Sequence, residues 1–339
     1  MTGIWPAVLT PVDAQFEPDP ARAVAYYREL LRDGADGINL LGTTGEAMSF
    51  SADQRLRLMK AVAAGVPRER TMCGTGAASL SDAVRLTRAA AELGFAAALI
   101  MPPFFFRDAT DEGVMQFFDR LLGSVGTIRT AILLYNFPRM SGVTFHPDLV
   151  DRLLAAFPGS IAGMKDSLND RALQREILAR HPELRVFPGS EEYLLEAKSY
   201  GAAGCISGSV CLWPRLAREA FVDGSEEAAA RVRDDRAALT GAPLISLVRE
   251  RVAQARNDAA WNRAMPPNVT AEIARLQPAR TQTDPAIDQK GHSEKRDPGK
   301  RVRKRRKAIA DNGEGRGLTA EIDHAGERDA EQAFTGDEA

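Results

Sequence analysis

Ile161-Ala162-Gly163-Met164-Lys165-Asp166-Ser167 is a short apolar run with one lysine set into it. It follows the Pro158-Gly159 turn and precedes helical periodicity near Asp170 to Arg180, so it reads as a buried strand feeding a helix. Lysine rarely sits fully inside a protein without a partner. Burial disfavours the ammonium form of such a lysine, and the neutral amine is the form that attacks a ketone to make a Schiff base. The plainer account is a lysine at a strand end that reaches water or pairs with Asp166. Strand alternation sets Asp166 on the opposite face, which weighs against that pairing and favours a functional lysine.

The same strand-then-helix unit recurs in both directions from this stretch. Strands are expected at Ile4 to Thr10, Gly37 to Leu41, Arg70 to Gly74, Ala96 to Met101, Thr130 to Tyr135, Ile161 to Lys165, Arg185 to Phe187 and Ala203 to Ile206. Amphipathic patterns lie between them, for example Ala21 to Asp33 closed by Gly34, and Ser79 to Leu93. Alternating strands and helices imply parallel pairing with crossover helices. Eight such strands close a (β/α)8 barrel. A doubly wound open sheet would carry a glycine-rich turn after its first strand, and Leu9-Thr10-Pro11-Val12-Asp13 is not one. The predicted fold class is therefore α/β, a TIM-type barrel over residues 1–212. A helical appendage is expected over 213–277, and a disordered charged tail over 278–339, where apolar residues thin out.

The 339 residues carry a net charge of -2, with 44% apolar and 27% charged residues, which suits a soluble globular chain. Cys73, Cys205 and Cys211 lack paired spacing, and the four histidines do not cluster, so neither a disulfide framework nor a metal site is expected. No signal peptide or membrane-spanning run is expected, which points to the cytoplasm. The basic run Lys300 to Lys307 reads as a solvated tail segment, and a nucleic-acid partner is not expected because no folded nucleic-acid motif accompanies it.

In a barrel of this kind the chemistry sits at the carboxyl ends of the strands. Those ends offer Thr43 and Thr44, Tyr135, Lys165, Gly189 with Ser190, and Ile206 to Ser209. The threonines and nearby backbone N–H groups suit a carboxylate. Tyr135, otherwise a core aromatic, can relay protons beside an imine-forming lysine. Amine, relay and anchor are the parts a class I aldolase needs.

Gly42-Thr43-Thr44-Gly45-Glu46, Tyr135-Asn136-Phe137-Pro138 and Gly163-Met164-Lys165-Asp166 together resemble the three signatures of the dihydrodipicolinate synthase and N-acetylneuraminate lyase family. The resemblance covers about residues 3 to 277. It implies a (β/α)8 barrel assembled as a homo-oligomer, tetramer or dimer, with no metal or organic cofactor. It also implies that Lys165 forms the imine with a 2-oxo acid such as pyruvate and that Tyr135 relays protons. Thr44 would be the hydrogen-bond partner of Tyr135, Thr43 with Thr44 the carboxylate cradle, and the backbone around Ile206 part of the pocket.

Two departures bear on the second substrate. The synthases carry an arginine two residues after the proline of the tyrosine motif, where this chain has Met140, with Arg139 one place early. They also carry a tyrosine in the loop after the fourth strand, where this chain reads Pro103-Phe104-Phe105-Phe106. The sialic-acid lyases are similar to this chain at Met140-Ser141-Gly142, and they carry acids where Gly189-Ser190-Glu191-Glu192 stands here. Glu191 and Glu192 either accept hydrogen bonds from a polyhydroxylated tail or, as acids at the first turn of a helix, favour its dipole. The expected activity is retro-aldol or dehydratase chemistry on a 2-keto-3-deoxy sugar acid or sialic-acid-like substrate. The alternatives are 4-hydroxy-tetrahydrodipicolinate synthase, joining pyruvate to aspartate semialdehyde, and a non-catalytic binding protein that engages a polyanion through its tail.

Overall fold

Alternate residues of the strands go to opposite sides of one curled sheet, and this sorting builds the molecule. The computed structural model describes residues 1–239 and 243–268; the expected tail 278–339 with its basic run, and residues 240–242 and 269–277 of the expected helical appendage, lie outside the described residues. The strands are β1 (Gly3–Ile4), β2 (Ile38–Leu40), β3 (Thr71–Gly74), β4 (Ala97–Ile100), β5 (Ala131–Asn136), β6 (Ile161–Asp166), β7 (Arg185–Pro188) and β8 (Gly204–Cys205). β2 to β7 pair in sequence order, all parallel, and β1 pairs in parallel with β8.

Two short links close the ring. Ala7 bridges Asn39 in parallel, and the Val8 N–H donates to the Asn39 carbonyl at 3.1 Å. On the other side, the N–H groups of Ala203 and Ile206 donate to the carbonyls of Val186 (2.8 Å) and Pro188 (3.0 Å). The result is a (β/α)8 barrel. The first strand is shorter than its apolar run predicts, because Pro6 has no N–H to give a ladder and pairing resumes only at Ala7.

The crossover helices start where the sequence signals them. Asp19, Ser79, Thr110 and Asp170 cap the helices Pro20–Arg32, Leu80–Glu92, Asp111–Val125 and Arg171–Arg180 by accepting from first-turn N–H groups. Ser51 and Gln54 form a reciprocal capping box on Ala52–Gly65. Outward-facing Ile38, Leu40, Ile100, Leu134 and Met164 pack against these helices in the main core. Inward-facing Trp5, Met72, Leu99, Leu133, Phe187 and Ile206 fill the barrel, so it is a packed core whose upper end carries the polar residues.

After β8 come the helices Pro214–Arg218, Glu226–Ala237 and Leu244–Arg256. Trp261, beyond the last of them, is buried and meets Tyr26 edge-on at 4.8 Å. No described helix is long and apolar enough to cross a membrane.

Candidate active site

Lys165 enters the barrel near the end of β6, only 4% exposed. Its Nζ donates to the Tyr135 hydroxyl at 3.3 Å and lies 4.4 Å from the centre of that ring. Tyr135 and Lys165 are direct register partners on β5 and β6, which is what brings a tyrosine and a lysine 30 residues apart into contact. Asp166 points to the other side of the sheet. There its buried carboxylate accepts from Asn136 Nδ2 (2.8 Å), Gln174 Nε2 (2.6 Å) and the N–H groups of Leu168 (3.0 Å) and Asp170 (3.1 Å). Desolvation raises its pKa despite those bonds. The lysine therefore makes no ion pair with its sequence neighbour, and the four donors to Asp166 pin the strand end that carries it.

The Tyr135 hydroxyl pairs with Thr43 Oγ1 at 3.1 Å, not with Thr44 as the family resemblance implied. Leu41 adopts the left-handed region at φ 52° just before Gly42, so strand alternation cannot be counted through this turn. Thr44 is buried with its side chain against Gly208, where a Cβ would press on the threonine hydroxyl. The N–H groups of Thr43 and Thr44 donate to no acceptor among the described residues, which leaves them available to a carboxylate.

Burial alone would push the Tyr135 hydroxyl up. The Lys165 charge and hydrogen bonding to Thr43, Ser167 and Lys165 together outweigh it, so the hydroxyl lies below the usual tyrosine value. The other four tyrosines go the opposite way: burial pushes Tyr26, Tyr27 and Tyr193 up, and Tyr200 to about 12. Tyr135 is thus the phenol in this chain that ionises most readily.

Ser167, which favours the ionised form of Tyr135, was missed in the sequence. Its position two residues beyond Lys165, on the same face by alternation, was the available signal. Gly189, at the end of β7, has no room for a Cβ because Ser167 lies against it, and its N–H donates to the Asp166 carbonyl at 2.8 Å. Ile206 sits fully buried in the inner cluster with Tyr135, and Phe137 stacks on the Tyr135 ring at 5.8 Å.

The expected specificity residues are placed less uniformly. Phe104, not Phe105, packs with the inner cluster; Phe105 is 75% exposed. Met140 stands half-exposed on a single helical turn, Pro138–Ser141. Neighbours on a helical turn point about 100° apart, so Arg139 does not take the direction of Met140. Glu192 is exposed at the rim and accepts from Ser190 Oγ at 2.7 Å. Glu191 departs from expectation: its carboxylate is buried without a partner among the described residues. Its charge is felt by Cys205 and Cys211, thiols that burial first and Glu191 second push up or that burial holds at about 12. Cys205 packs outside β8, with Ile4 and Leu194. Glu191 is therefore no ready acceptor for a substrate tail. Among the described residues, no three His, Cys, Asp or Glu side chains come together as a metal-holding group.

The dihydrodipicolinate synthetase family model matches residues 1–253. The chain belongs to that family. It is 35% identical over 235 residues to a DapA-like lyase described as uncharacterized from Chloroflexus aurantiacus, covering 68% of this chain and 78% of the relative. It is 27% identical over 220 residues to the putative 2-dehydro-3-deoxy-D-gluconate aldolase YagE of Escherichia coli, covering 63% and 71%. The crystal structure of dihydrodipicolinate synthase from Agrobacterium tumefaciens superposes with a TM-score of 0.74 at 29% identity, over 81% of this chain and 96% of that one. Members of the dihydrodipicolinate synthetase family are class I lyases that work through a lysine Schiff base without a cofactor. The present chain is a lyase of that type.

Proposed function

We propose that Lys165 is the imine-forming nucleophile of a pyruvate-releasing aldolase acting on a 2-keto-3-deoxy sugar acid or sialic-acid-like substrate. The observation that carries this reading is a buried lysine whose Nζ meets a tyrosine hydroxyl at 3.3 Å instead of a carboxylate. The free N–H groups of Thr43 and Thr44 receive the substrate carboxylate, which sets C2 against Nζ. The neutral amine adds to the C2 carbonyl, and loss of water from the carbinolamine leaves the imine.

Tyr135 then takes the proton of the C4 hydroxyl. The C3–C4 bond breaks, its electron pair moves into the imine to form an enamine, and the aldehyde departs. The enamine is protonated at C3, and water hydrolyses the resulting imine to pyruvate and free Lys165. The downward shift of Tyr135 favours its taking up a proton as the phenolate and returning it. Exposed Glu192, joined to Ser190, is the acceptor best placed for the hydroxyls of the leaving aldehyde.

The second reading, 4-hydroxy-tetrahydrodipicolinate synthase, rests on the similarity to the Agrobacterium synthase. Met140 in place of the expected arginine and Phe105 in place of a tyrosine speak against it. A coupled assay for pyruvate release across a panel of 2-keto-3-deoxy acids is expected to find turnover on at least one six- to nine-carbon acid. Pyruvate consumption with aspartate semialdehyde, and no release from any acid, would establish the synthase reading.

We also propose a homo-oligomer, dimer or tetramer, in the cytoplasm. Phe105 and Phe106, 75% and 73% exposed, meet edge-on at 5.3 Å in the loop after β4, and Met140, in the loop after β5, is also half-exposed. Aromatic pairs left in water favour a partner surface. Replacing Phe105 and Phe106 together by serine is expected to lower the mass seen by analytical ultracentrifugation; a wild-type chain sedimenting as a monomer would sink the idea.

A further inference from the structure

Glu46 ends the Gly42–Glu46 loop, yet its carboxylate turns away from the candidate site and is fully buried against the chain that follows β8. It pairs with the guanidinium of Arg249, also fully buried. Its other oxygen accepts from the Met265 N–H at 3.0 Å and Asn268 Nδ2 at 2.7 Å. Arg249 in turn donates to the Thr10 carbonyl at 3.0 Å and the Trp261 carbonyl at 3.4 Å. One ion pair thus ties the segment after β1, the loop after β2 and the last described helix together. Glu46 reaches it from φ 54°, a conformation that a residue with a Cβ adopts only when its surroundings hold it there.

The loop so held is the one that presents Thr43 Oγ1 to Tyr135 and the N–H groups of Thr43 and Thr44 to the carboxylate. We propose that Glu46 and Arg249 are positioning residues for the reaction: the pair sets where Thr43 meets Tyr135, and so makes the helix Leu244–Arg256 part of the working site. This rests on the reading of Tyr135 and Lys165 given above. Arginine suits the task because its planar fork can serve Glu46 and the Thr10 and Trp261 carbonyls at once, which a lysine ammonium on a single stem cannot. Removing one partner would leave a buried charge alone, so the informative change neutralises both.

The test compares wild type with the double variant Glu46→Gln/Arg249→Met and with Arg249→Lys. Each is examined by thermal melting, by phenolate absorbance against pH, and by turnover on the substrate found in the panel. If the pair positions the loop, Tyr135 loses the part of its downward shift that comes from Thr43. Its titration then moves up in both variants, further in the double. Turnover falls by roughly 10-fold to 100-fold, as for other small misplacements of reacting groups, with Arg249→Lys intermediate. Borohydride still traps pyruvate on Lys165, which lies across the barrel on β6. Folded variants that titrate and turn over as wild type does would overturn the proposal and leave the pair a purely structural tie. Should the double variant fail to fold, Arg249→Lys carries the same two readouts. The titration needs no substrate. A wild type that does not trap pyruvate therefore removes the proposed function, while the positioning role stands or falls on Tyr135 alone.

Discussion

With Lys165 as the proposed nucleophile, Lys165→Met is expected to lose turnover by at least about 10⁴-fold, the scale seen when a covalent nucleophile is removed, and borohydride should no longer fix pyruvate to the protein. Methionine keeps the length and apolar stem of lysine, and Lys165 makes no ion pair whose loss would strand a buried carboxylate. The variant should therefore fold, and a wild-type melting curve checks that it does. A second readout needs no substrate. The Lys165 charge is the largest influence lowering the Tyr135 hydroxyl; without it burial dominates, and burial favours the neutral phenol. The Tyr135 titration is thus expected to move from below the usual value of about 10 to above it, joining the other tyrosines. A variant that still traps pyruvate, with the adduct on another lysine by mass spectrometry, would remove Lys165 from the mechanism.

Tyr135→Phe separates bond formation from proton transfer. The ring stays, with its packing against Phe137 and its place in the inner cluster, and only the hydroxyl shared by Thr43 and Lys165 goes. Loss of a positioned proton relay costs about 10²-fold to 10⁴-fold, so kcat should fall by that factor. The Lys165 amine remains, and trapping of pyruvate should persist at a reduced rate. With the carboxylate on the Thr43 and Thr44 N–H groups, as proposed, KM should change by less than about 3-fold, as expected when an interaction made only in the transition state is removed. A variant within about threefold of wild-type kcat would show that another group moves the proton, the Thr43 hydroxyl, 3.1 Å from that of Tyr135, being the first candidate.

Much of this was readable in the chain itself. Eight short apolar runs separated by amphipathic segments announce a parallel barrel because strand and helix impose different periods, and caps such as Asp19 and Ser51 mark the joins. Lys165 stood out because one basic residue interrupts a run that only a buried strand explains, and alternation correctly separated it from Asp166. The specificity elements were less legible. Phe104, Phe105 and Phe106 are the same residue type in a row, and nothing local says which ring packs inward. Glu191 and Glu192 are likewise adjacent acids, yet one is buried near Cys205 and the other meets Ser190 at the rim.

Sequence by itself determined the strand count, the lysine and tyrosine of the candidate site, and which face of β6 each residue takes. These depend on local periodicity, which is short-range and survives without knowledge of the rest of the chain. Tertiary structure alone decided that Thr43 rather than Thr44 meets Tyr135, that Glu191 is buried without a partner among the described residues, and that Arg249 reaches back more than 200 residues to Glu46. Those outcomes follow from a left-handed residue in one turn and from pairing between distant segments. Neither is written in the spacing of neighbouring residues.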